Sequence, residues 1–553
     1  MSHETRIILV LGWLVAGCGK VAVSTDGAPT DAAPGDGAVD ALVDTDGGLA
    51  LGSECVPAGP GCASGHCVDG YCCASSCAGQ CEACDVAGQE GSCIPVNGPP
   101  HGDRDACDGE GDCAGSCDGS ETAECTYPTD PCREASCEDG VAIAAASCSQ
   151  GTCPTPVEEV CANSSSYCGA AACADIADVR AGYDYTCVRM SDGSIRCWGA
   201  NESGQLGVGD TEPRVVPTLV PGFPSADKLA VNGAYGGHTC AVLSDRTLFC
   251  WGANGYGELG IGGADWDPHP DPVAVLKAPS SPQDAVNHTT AGWNGSCLLD
   301  ASNTARCWGW NYYGSVGDGN SGNDSDRYYT TPVSTNPGGL TFTRLATGYA
   351  HSCALSTEAT PKVYCWGDNS SKAVGLDSPS VVVQATAVAT QPPVNGILAE
   401  PLVLGDSVSC AIATNSTLRC WGSNYNGLLG QNTQGTSSNS SVPAAVCRTS
   451  DCSQYLATVS RASIGEAHAC AITSGTVRCW GRNNHGQLGN GTNNPLYYAG
   501  TGPTLSNVTR VACGGYHTCA VAGGELWCWG WNSSGQLGTT GDDAPDPVKV
   551  PAF

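Results

Sequence analysis

Methionine and phenylalanine are nearly missing from this 553-residue chain, at 2 and 4 residues. Long helices with broad apolar faces draw on such side chains, so a helix-rich architecture is disfavoured. Positive charge is also sparse: 23 Lys and Arg stand against 55 Asp and Glu, for a formal net charge of −32. The basic residues never gather into a stripe in the sequence, which excludes a phosphate-tracking nucleic-acid surface and disfavours anionic lipid head groups. No apolar run reaches the length of a bilayer span, since the longest lies between Ile7 and Val15. Gly-x-Ser-x-Gly, His-Glu-x-x-His and the phosphate-cradling Gly-Lys-Ser/Thr are missing too. The acids are scattered through turns, and no carboxylate pair stands out. Neither a catalytic residue, a resident metal nor a cofactor is expected, and the chain reads as a non-enzyme.

Glycine (75), proline (33) and cysteine (38) are abundant. Many short strands and tight turns follow from that balance, so the fold class is all-β. So many thiols imply an oxidising compartment and a disulfide framework. The length is too great for one hydrophobic core and predicts two to four structural units.

The first units are short. Arg6, the apolar run and Ala16-Gly17-Cys18 make residues 1–17 a secretory signal. Val15-Ala16-Gly17-Cys18 resembles the bacterial lipobox, and that resemblance implies diacylglycerol on Cys18 as the first mature residue; an ordinary signal peptide cut nearby is the alternative. Lipid there would hold the protein on the bacterial envelope, at the outer membrane or cell surface, as its sole contact with a membrane. Residues 18–54, rich in Ala, Gly, Asp and Pro, have almost nothing to bury and are expected to form a disordered acidic tether.

Residues 55–175 form a Cys-rich module with 20 cysteines between Cys55 and Cys173 and few aliphatic residues. Covalent bridges must substitute for a core there. The stretch from Gly65 through Cys72-Cys73 to Cys93 resembles a cysteine-rich module of myxobacterial surface proteins. Cys77, Cys81 and Cys84 have spacings that also suit a zinc or iron–sulfur site, although disulfides are the default after export.

From residue 176 to 553 the chain repeats itself seven times. The core of the repeat is Gly-x4-Cys, a hairpin and Cys-Trp-Gly-x-Asn-x2-Gly-x-Leu-Gly. The paired cysteines are Cys187 with Cys197, Cys240 with Cys250, Cys297 with Cys307, Cys353 with Cys365, Cys410 with Cys420, Cys470 with Cys479 and Cys519 with Cys528, at periods of 49 to 60 residues. Such periods indicate a propeller. Ser474-Gly475 and Gly523-Gly524 sit at the midpoints of the nine-residue gaps, as a two-residue turn requires, and ten-residue gaps accommodate a three-residue loop. Either spacing places the two cysteines opposite each other on neighbouring strands. One cross-strand disulfide per blade is predicted; buried free thiols are the alternative. Cys353 and Cys365, twelve apart, keep the same parity with a longer loop.

This pattern, seen in Gly237-His238-Thr239-Cys240 through Cys250-Trp251-Gly252-Ala253-Asn254 to Leu259-Gly260, resembles the regulator of chromosome condensation repeat family. The resemblance implies a seven-bladed β-propeller over residues 176–553. Copies three and four depart from it at Ser315-Val316-Gly317 and Ala373-Val374-Gly375, and copy two has Tyr235 where the others have Gly. Nucleotide exchange on a cytosolic GTPase, as in the eukaryotic founder, does not transfer to an exported acidic chain. The C-terminal residues 545–553 are expected to form a strand that meets Ile176 to Ala181 and closes the ring.

Other features compete for a functional role. His238, His351, His468 and His517 each stand two residues before a first half-cystine; backbone-bonded histidines are expected rather than a shared metal site. The oxygen-rich 318–326 loop invites calcium, but an EF-hand spacing is missing. Cys447 and Cys452 are expected to staple an inserted loop, and residues 431–460 and, less strongly, 318–340 are nominated as a contact surface. Once Cys18 is set apart, 37 cysteines remain, so one thiol stays free or pairs with another chain. Cys513 has no partner within its repeat, and Cys173 is the nearest candidate. The function expected is that of a monomeric binding or scaffold propeller for a protein or glycan partner, in its sharpest form an inhibitor of a secreted hydrolase. The rival is an extracellular hydrolase or lyase whose site is assembled from dispersed loops.

Overall fold

The computed structural model describes residues 49–54, 62–100 and 171–553, apart from 65, 88, 91, 224, 232–236, 395, 397, 399 and 552. Between 101 and 170 it describes 107, 114, 116–118, 120, 125–129, 131–133, 136–138, 141–149, 152–161 and 167–168. The signal peptide, Cys18 and most of the tether lie outside these residues, as does Tyr235. Among the described residues no helix is long and apolar enough to cross a membrane.

The chain divides into two compact units. The first runs to Pro128 and includes residues 150–152. It holds two-stranded pieces such as Cys67–Val68 with Tyr71–Cys72 and Glu82–Ala83 with Ile94–Pro95. Bridges join Cys62 to Cys72, Cys73 to Cys84, Cys77 to Cys93, Cys81 to Cys117 and Cys107 to Cys125. Cys77, Cys81 and Cys84 thus belong to three different disulfides. Its small buried clusters consist largely of half-cystines, so covalent closure of the unfolded chain stands in for apolar burial.

The second unit contains residues 129–149 and 153–553. Seven antiparallel sheets form the propeller. Blade 1 is the meander Ile176–Ala181, Tyr185–Met190, Ile195–Gly199 and Arg214–Leu219, paired in chain order from the inner strand outward. Blades 2 to 5 repeat that order over 226–274, 286–332, 342–387 and 402–445, and blade 7 over 508–549. Blade 6 has three strands, over 459–481.

The C-terminal strand does not meet residues 176–181. Ala544–Lys549 is the outer strand of blade 7, paired with Glu525–Gly530. Each blade here is a complete run of consecutive chain, so no strand is borrowed to close the ring. Closure comes from packing: the inner strand of blade 1 lies on the inner strands of blade 7. Val179, Val188, Met190 and Trp198 of blade 1 share a buried cluster with Val521, Leu526, Leu537 and Val550 of blade 7. Phe553 extends it, stacking on Tyr167 at 4.5 Å while its carbonyl accepts from the Cys168 amide at 2.7 Å.

The repeat motif explains this packing. In the Trp-Gly-x-Asn turn the Asn side-chain oxygen accepts from the amide five residues on, 3.0 Å for Asn201 and Leu206 and 2.9 Å for Asn483 and Leu488. Locking the turn drives Leu206 into the interface with blade 2. Each buried Trp donates its Nε1 to the same turn of the preceding blade: Trp251 to the Gln205 carbonyl at 3.0 Å, and Trp198 across the closure to that of Gln536 at 2.9 Å. The Gly after Leu is obligatory because Gly207 has φ +72° and an added Cβ would lie 2.6 Å from Trp251 Nε1.

In every blade the two half-cystines occupy directly opposed positions on the second and third strands. Cys187 is bonded to Cys197, Cys240 to Cys250, Cys297 to Cys307, Cys353 to Cys365, Cys410 to Cys420, Cys470 to Cys479 and Cys519 to Cys528, with S–S distances of 2.01 to 2.15 Å. Free thiols in these positions are thereby set aside. The nine-residue hairpins turn at Ser474 and Gly475 (φ 49° and 74°) and at Gly523 and Gly524 (φ 61° and 87°). Positive φ at both positions matches the strand twist.

The bridges correct the sequence reading in one respect: they do not merely pin a hairpin, for they are also core. Cys353 and Cys365 pack in one buried cluster with Trp421 of the next blade, Cys410 and Cys420 with Trp480, and Cys519 and Cys528 with Trp198 across the closure. Cys365, Cys420 and Cys528 are fully buried. None of them is a surface site, because strand alternation turns these positions toward the neighbouring sheet.

Two cysteine expectations need correction or completion. Cys173 bonds Cys161, not Cys513. Among the described cysteines Cys513 is the free one. It ends the inner strand of blade 7, and its sulfur lies within 4.8 Å of ligand atoms of His468 and Cys470 in blade 6. Burial pushes this thiol up to about 12.

Candidate functional site: the aromatic end of the ring

The four aligned histidines turn Nε2 to side chains rather than to the backbone expected. Each Nε2 meets a hydroxyl of the next blade: His238 with Ser296 at 2.6 Å, His351 with Ser409 at 2.9 Å, His468 with Thr518 at 2.7 Å and His517 with Thr186 at 2.8 Å. Strand alternation is the reason. Positions two and one before the half-cystine point to opposite sides of a sheet, and one side of each blade faces the other side of the next. The same hydroxyls donate to the neighbouring turn, as Thr186 does to the Gln536 carbonyl at 3.0 Å. Tyr185 takes the histidine position in blade 1, 3.2 Å from Thr239 Oγ1. Val408 takes it in blade 5, where Ala469 occupies the facing position in blade 6. Burial depresses His238, His468 and His517 to about 3 and His351 to about 4, so all four are neutral structural clasps.

The nominated loops are also occupied by their own contacts. Asp318 ion-pairs with Arg327 at 2.5 Å, and Asp326 accepts from the Asn311 amide at 2.8 Å. Cys447 and Cys452 are joined at 2.10 Å, and their loop folds against Gln431 and Asn432 through the bond from Asn432 Nδ2 to the Ser450 carbonyl at 2.7 Å.

What stands out instead is aromatic. The turns between first and second strands and the loops between third and fourth strands emerge at the same end of the blades, and in blades 2 to 4 they carry Tyr256, Trp266, Trp293, Trp310, Tyr312, Tyr313 and Tyr349. These rings form one connected patch. Trp310 touches Tyr256 at 5.8 Å, Trp293 at 6.1 Å and Tyr313 at 5.4 Å, and lies nearly parallel to Tyr312 at 6.1 Å and 14°. Trp293 stacks on Tyr349. Trp266 is 80% exposed and Tyr312 44%. The seven Trp of the repeats are buried, whereas Trp266 and Tyr312 are exposed and the other five rings of the patch half-buried, so the patch presents aromatic surface at this end.

Tyr183, Tyr516 and Trp531 form a second cluster at this end, with centroids 5.8 to 6.1 Å apart. Carboxylates stand beside the rings. Glu466 accepts from the Tyr516 hydroxyl at 3.0 Å. Asp406 is raised to about 6 by desolvation and by the nearby charges of Glu466 and Asp368. Tyr349 is pushed up to about 12 by burial and by Asp406. Sequence reading missed this site because its residues occupy variable positions outside the repeat motif. The run Trp310-Asn311-Tyr312-Tyr313 was the one local signal.

A sequence profile for the regulator of chromosome condensation (RCC1) repeat matches residues 192–243, 474–521 and 523–553, and a second profile of the same repeat matches 176–205, 233–258, 342–372, 459–487 and 508–536. The RCC1 repeat is thus matched in blades 1, 2, 4, 6 and 7. The ultraviolet-B receptor UVR8 of Arabidopsis thaliana is 28% identical over 249 residues, 45% of this chain and 53% of the receptor. The chain therefore spans about half the length of that relative. The E3 ubiquitin-protein ligase HERC2 of Mus musculus is 28% identical over 217 residues, which are 39% of this chain and 4% of the ligase. Among solved structures, Prp20p of Saccharomyces cerevisiae superposes with a TM-score of 0.54 at 18% identity, covering 68% of this chain and 87% of that one. Human WBSCR16 gives 0.52 at 23% identity, over 65% and 94%. These likenesses establish the RCC1-repeat propeller fold, and such a ring suits a binding or scaffold role.

Proposed function

We propose that this chain is an exported lipoprotein, anchored through Cys18 to the bacterial envelope, whose monomeric RCC1-repeat propeller binds a protein partner with the aromatic end of the ring. The observation that carries the reading is the connected patch around Trp310, with Trp266 80% exposed. Trp and Tyr dominate binding hot spots because they bury a large area with few rotatable bonds. A disulfide-stapled ring presents them with little ordering cost. The solved Prp20p is described with its binding properties to Gsp1p and histones, which supports a protein partner in general terms and does not name this one. In its sharper form the partner is a secreted hydrolase that the propeller inhibits. A glycan is the second occupant, favoured by the parallel offset of Trp310 and Tyr312, a platform on which the apolar face of a sugar stacks. Ubiquitin-ligase activity is not carried over from a match covering 4% of that protein.

The test compares mature protein with its Trp266→Ala and Trp310→Ala variants in capture of secreted and envelope proteins, and on a glycan array. Loss of one specific partner by at least about tenfold, or 1.4 kcal/mol, is expected for Trp310→Ala. Equal capture by both variants would refute the aromatic site. Turnover in a hydrolase panel, abolished by mutating loop acids, would favour the enzymatic rival. Metabolic labelling with palmitate, lost in Cys18→Ala, tests the anchor.

A further inference from the structure

The seven inner strands enclose an axial channel of about 1020 Å³. Six of the chain's 23 Lys and Arg line it, a concentration that chance placement in so acidic a protein does not produce. Their arrangement follows from register. Lys228, His288, Arg344, Arg461 and Arg510 occupy one equivalent position, two residues before the one opposite each blade's first half-cystine. Arg180, one pleat further along blade 1, joins them. The ring sits toward the start of the inner strands, away from the aromatic mouth.

Nearby carboxylates do not neutralise it. Glu400 accepts from Arg180 and, at 2.8 Å, from Arg461. Asp178 pairs with Arg180 at 2.9 Å and stands 3.8 Å from Arg510, while Asp227 takes Lys228 at 2.8 Å. At this end five cations thus meet three carboxylates, while Asp406 and Glu466, which also line the channel, lie in the turns at its aromatic end. The surplus registers on neighbouring groups: His288 is depressed to about 4 by burial and then by Arg180 and Arg344, and Arg510 is lowered by burial and by Arg461. His288, Thr290 and Thr347 line the same channel, with His288 Nδ1 and the two hydroxyl oxygens turned into the surrounding protein. Distant acidic residues are screened beyond about 8 Å at physiological salt, so the local ring sets the field inside the channel.

We infer that the channel is a binding site for a small multivalent oxyanion, held by Arg344, Arg510 and Lys228. The surplus of fixed cations selects charge, and guanidinium forks fit carboxylate or phosphate oxygens. The site does not rest on the aromatic patch.

Isothermal titration of the mature full chain with citrate, inorganic phosphate and acetate at low salt tests the site. One citrate or phosphate per chain is expected, with acetate at least about tenfold weaker and affinity falling several-fold as salt rises from about 20 to 200 mM. Citrate binding above phosphate would identify a polycarboxylate ligand, and the reverse order a phosphate. The double variant Lys228→Ala with Arg344→Ala is expected to weaken binding roughly tenfold or more, with Lys549→Ala, on the surface of blade 7, unchanged. No binding of either polyanion up to about 10 mM overturns the inference. So does undiminished binding by the folded double variant. Should that variant unfold, Lys228→Ala alone, whose side chain is 39% exposed, decides: about fivefold weakening supports the site and none overturns it.

Discussion

Glu258 occupies the position that Gln205, Gln487 and Gln536 fill in other blades, one residue before the Leu of the turn. The Gln side chains accept from the amide two residues earlier, as Gln205 does from Ser203 at 2.9 Å. Glu258 does the same with Tyr256 at 2.7 Å, but it is only 3% exposed, and burial, with weaker contributions from Asp265 and Asp326, raises it to about 6. An unfolded Glu ionises near its ordinary value of 4.5. The folded protein therefore holds this proton more tightly than the unfolded chain, and stability is lost as pH rises through the window from 4.5 to about 6. The difference corresponds to roughly 2 kcal/mol by pH 8. Glu258→Gln keeps the accepted bond and removes the buried charge. Its amide nitrogen has little to bond, since Gln487 and Gln536 leave theirs without a partner, but the hydroxyl of protonated Glu258 meets the same poverty of acceptors. Guanidinium unfolding followed by tryptophan fluorescence should thus show Glu258→Gln equal to wild type near pH 4 and more stable by about 2 kcal/mol at pH 8. A shift of equal size at both pH values, or destabilisation at pH 8, would refute the assignment of a charge buried in the turn.

The histidine clasps act in the opposite direction. His517 protonates near 6.5 when unfolded and only near 3 when folded, so its contribution is present at neutral pH and is lost as pH falls below 6.5. Thr186→Val, which removes the hydroxyl at the ring closure, should cost about 1 to 3 kcal/mol, and a double-mutant cycle with His517→Ala should show clear coupling; additive effects would mean the 2.8 Å contact carries no energy. Removing the blade 5 staple by changing both Cys410 and Cys420 to Ala should cost about 3 kcal/mol for its short closure, while Cys513 should resist alkylation in native protein and react once guanidinium is added. Rapid labelling of several native thiols would contradict the stapled ring.

Much of this was legible from residue order. The half-cystine spacing and the Ser474-Gly475 turn are local properties of one hairpin, and period-2 alternation alone places Cys470 opposite Cys479. That the bridges of Cys365, Cys420 and Cys528 would also fill the gaps between blades was not readable, because it depends on which sheet lies against which. The hydroxyl clasp had a readable signal as well, in Tyr185 facing Thr239 and Val408 facing Ala469, but recognising it requires knowing that one sheet's front lies on the next sheet's back. The aromatic end and the basic channel were not legible. Arg344, Arg461 and Arg510 are separated by tens of residues and look isolated, so the sequence reading found no basic stripe.

By itself, then, the amino-acid order determined what depends on near neighbours: strands, turns, staples and the count of seven blades. Only the tertiary structure decided which copies touch, how the ring closes without borrowing the C-terminal strand, and which side chains from separate blades converge. The reason is geometric: a hairpin is specified by contacts within about a dozen residues, whereas a closed ring superimposes equivalent register positions from seven distant segments on one axis.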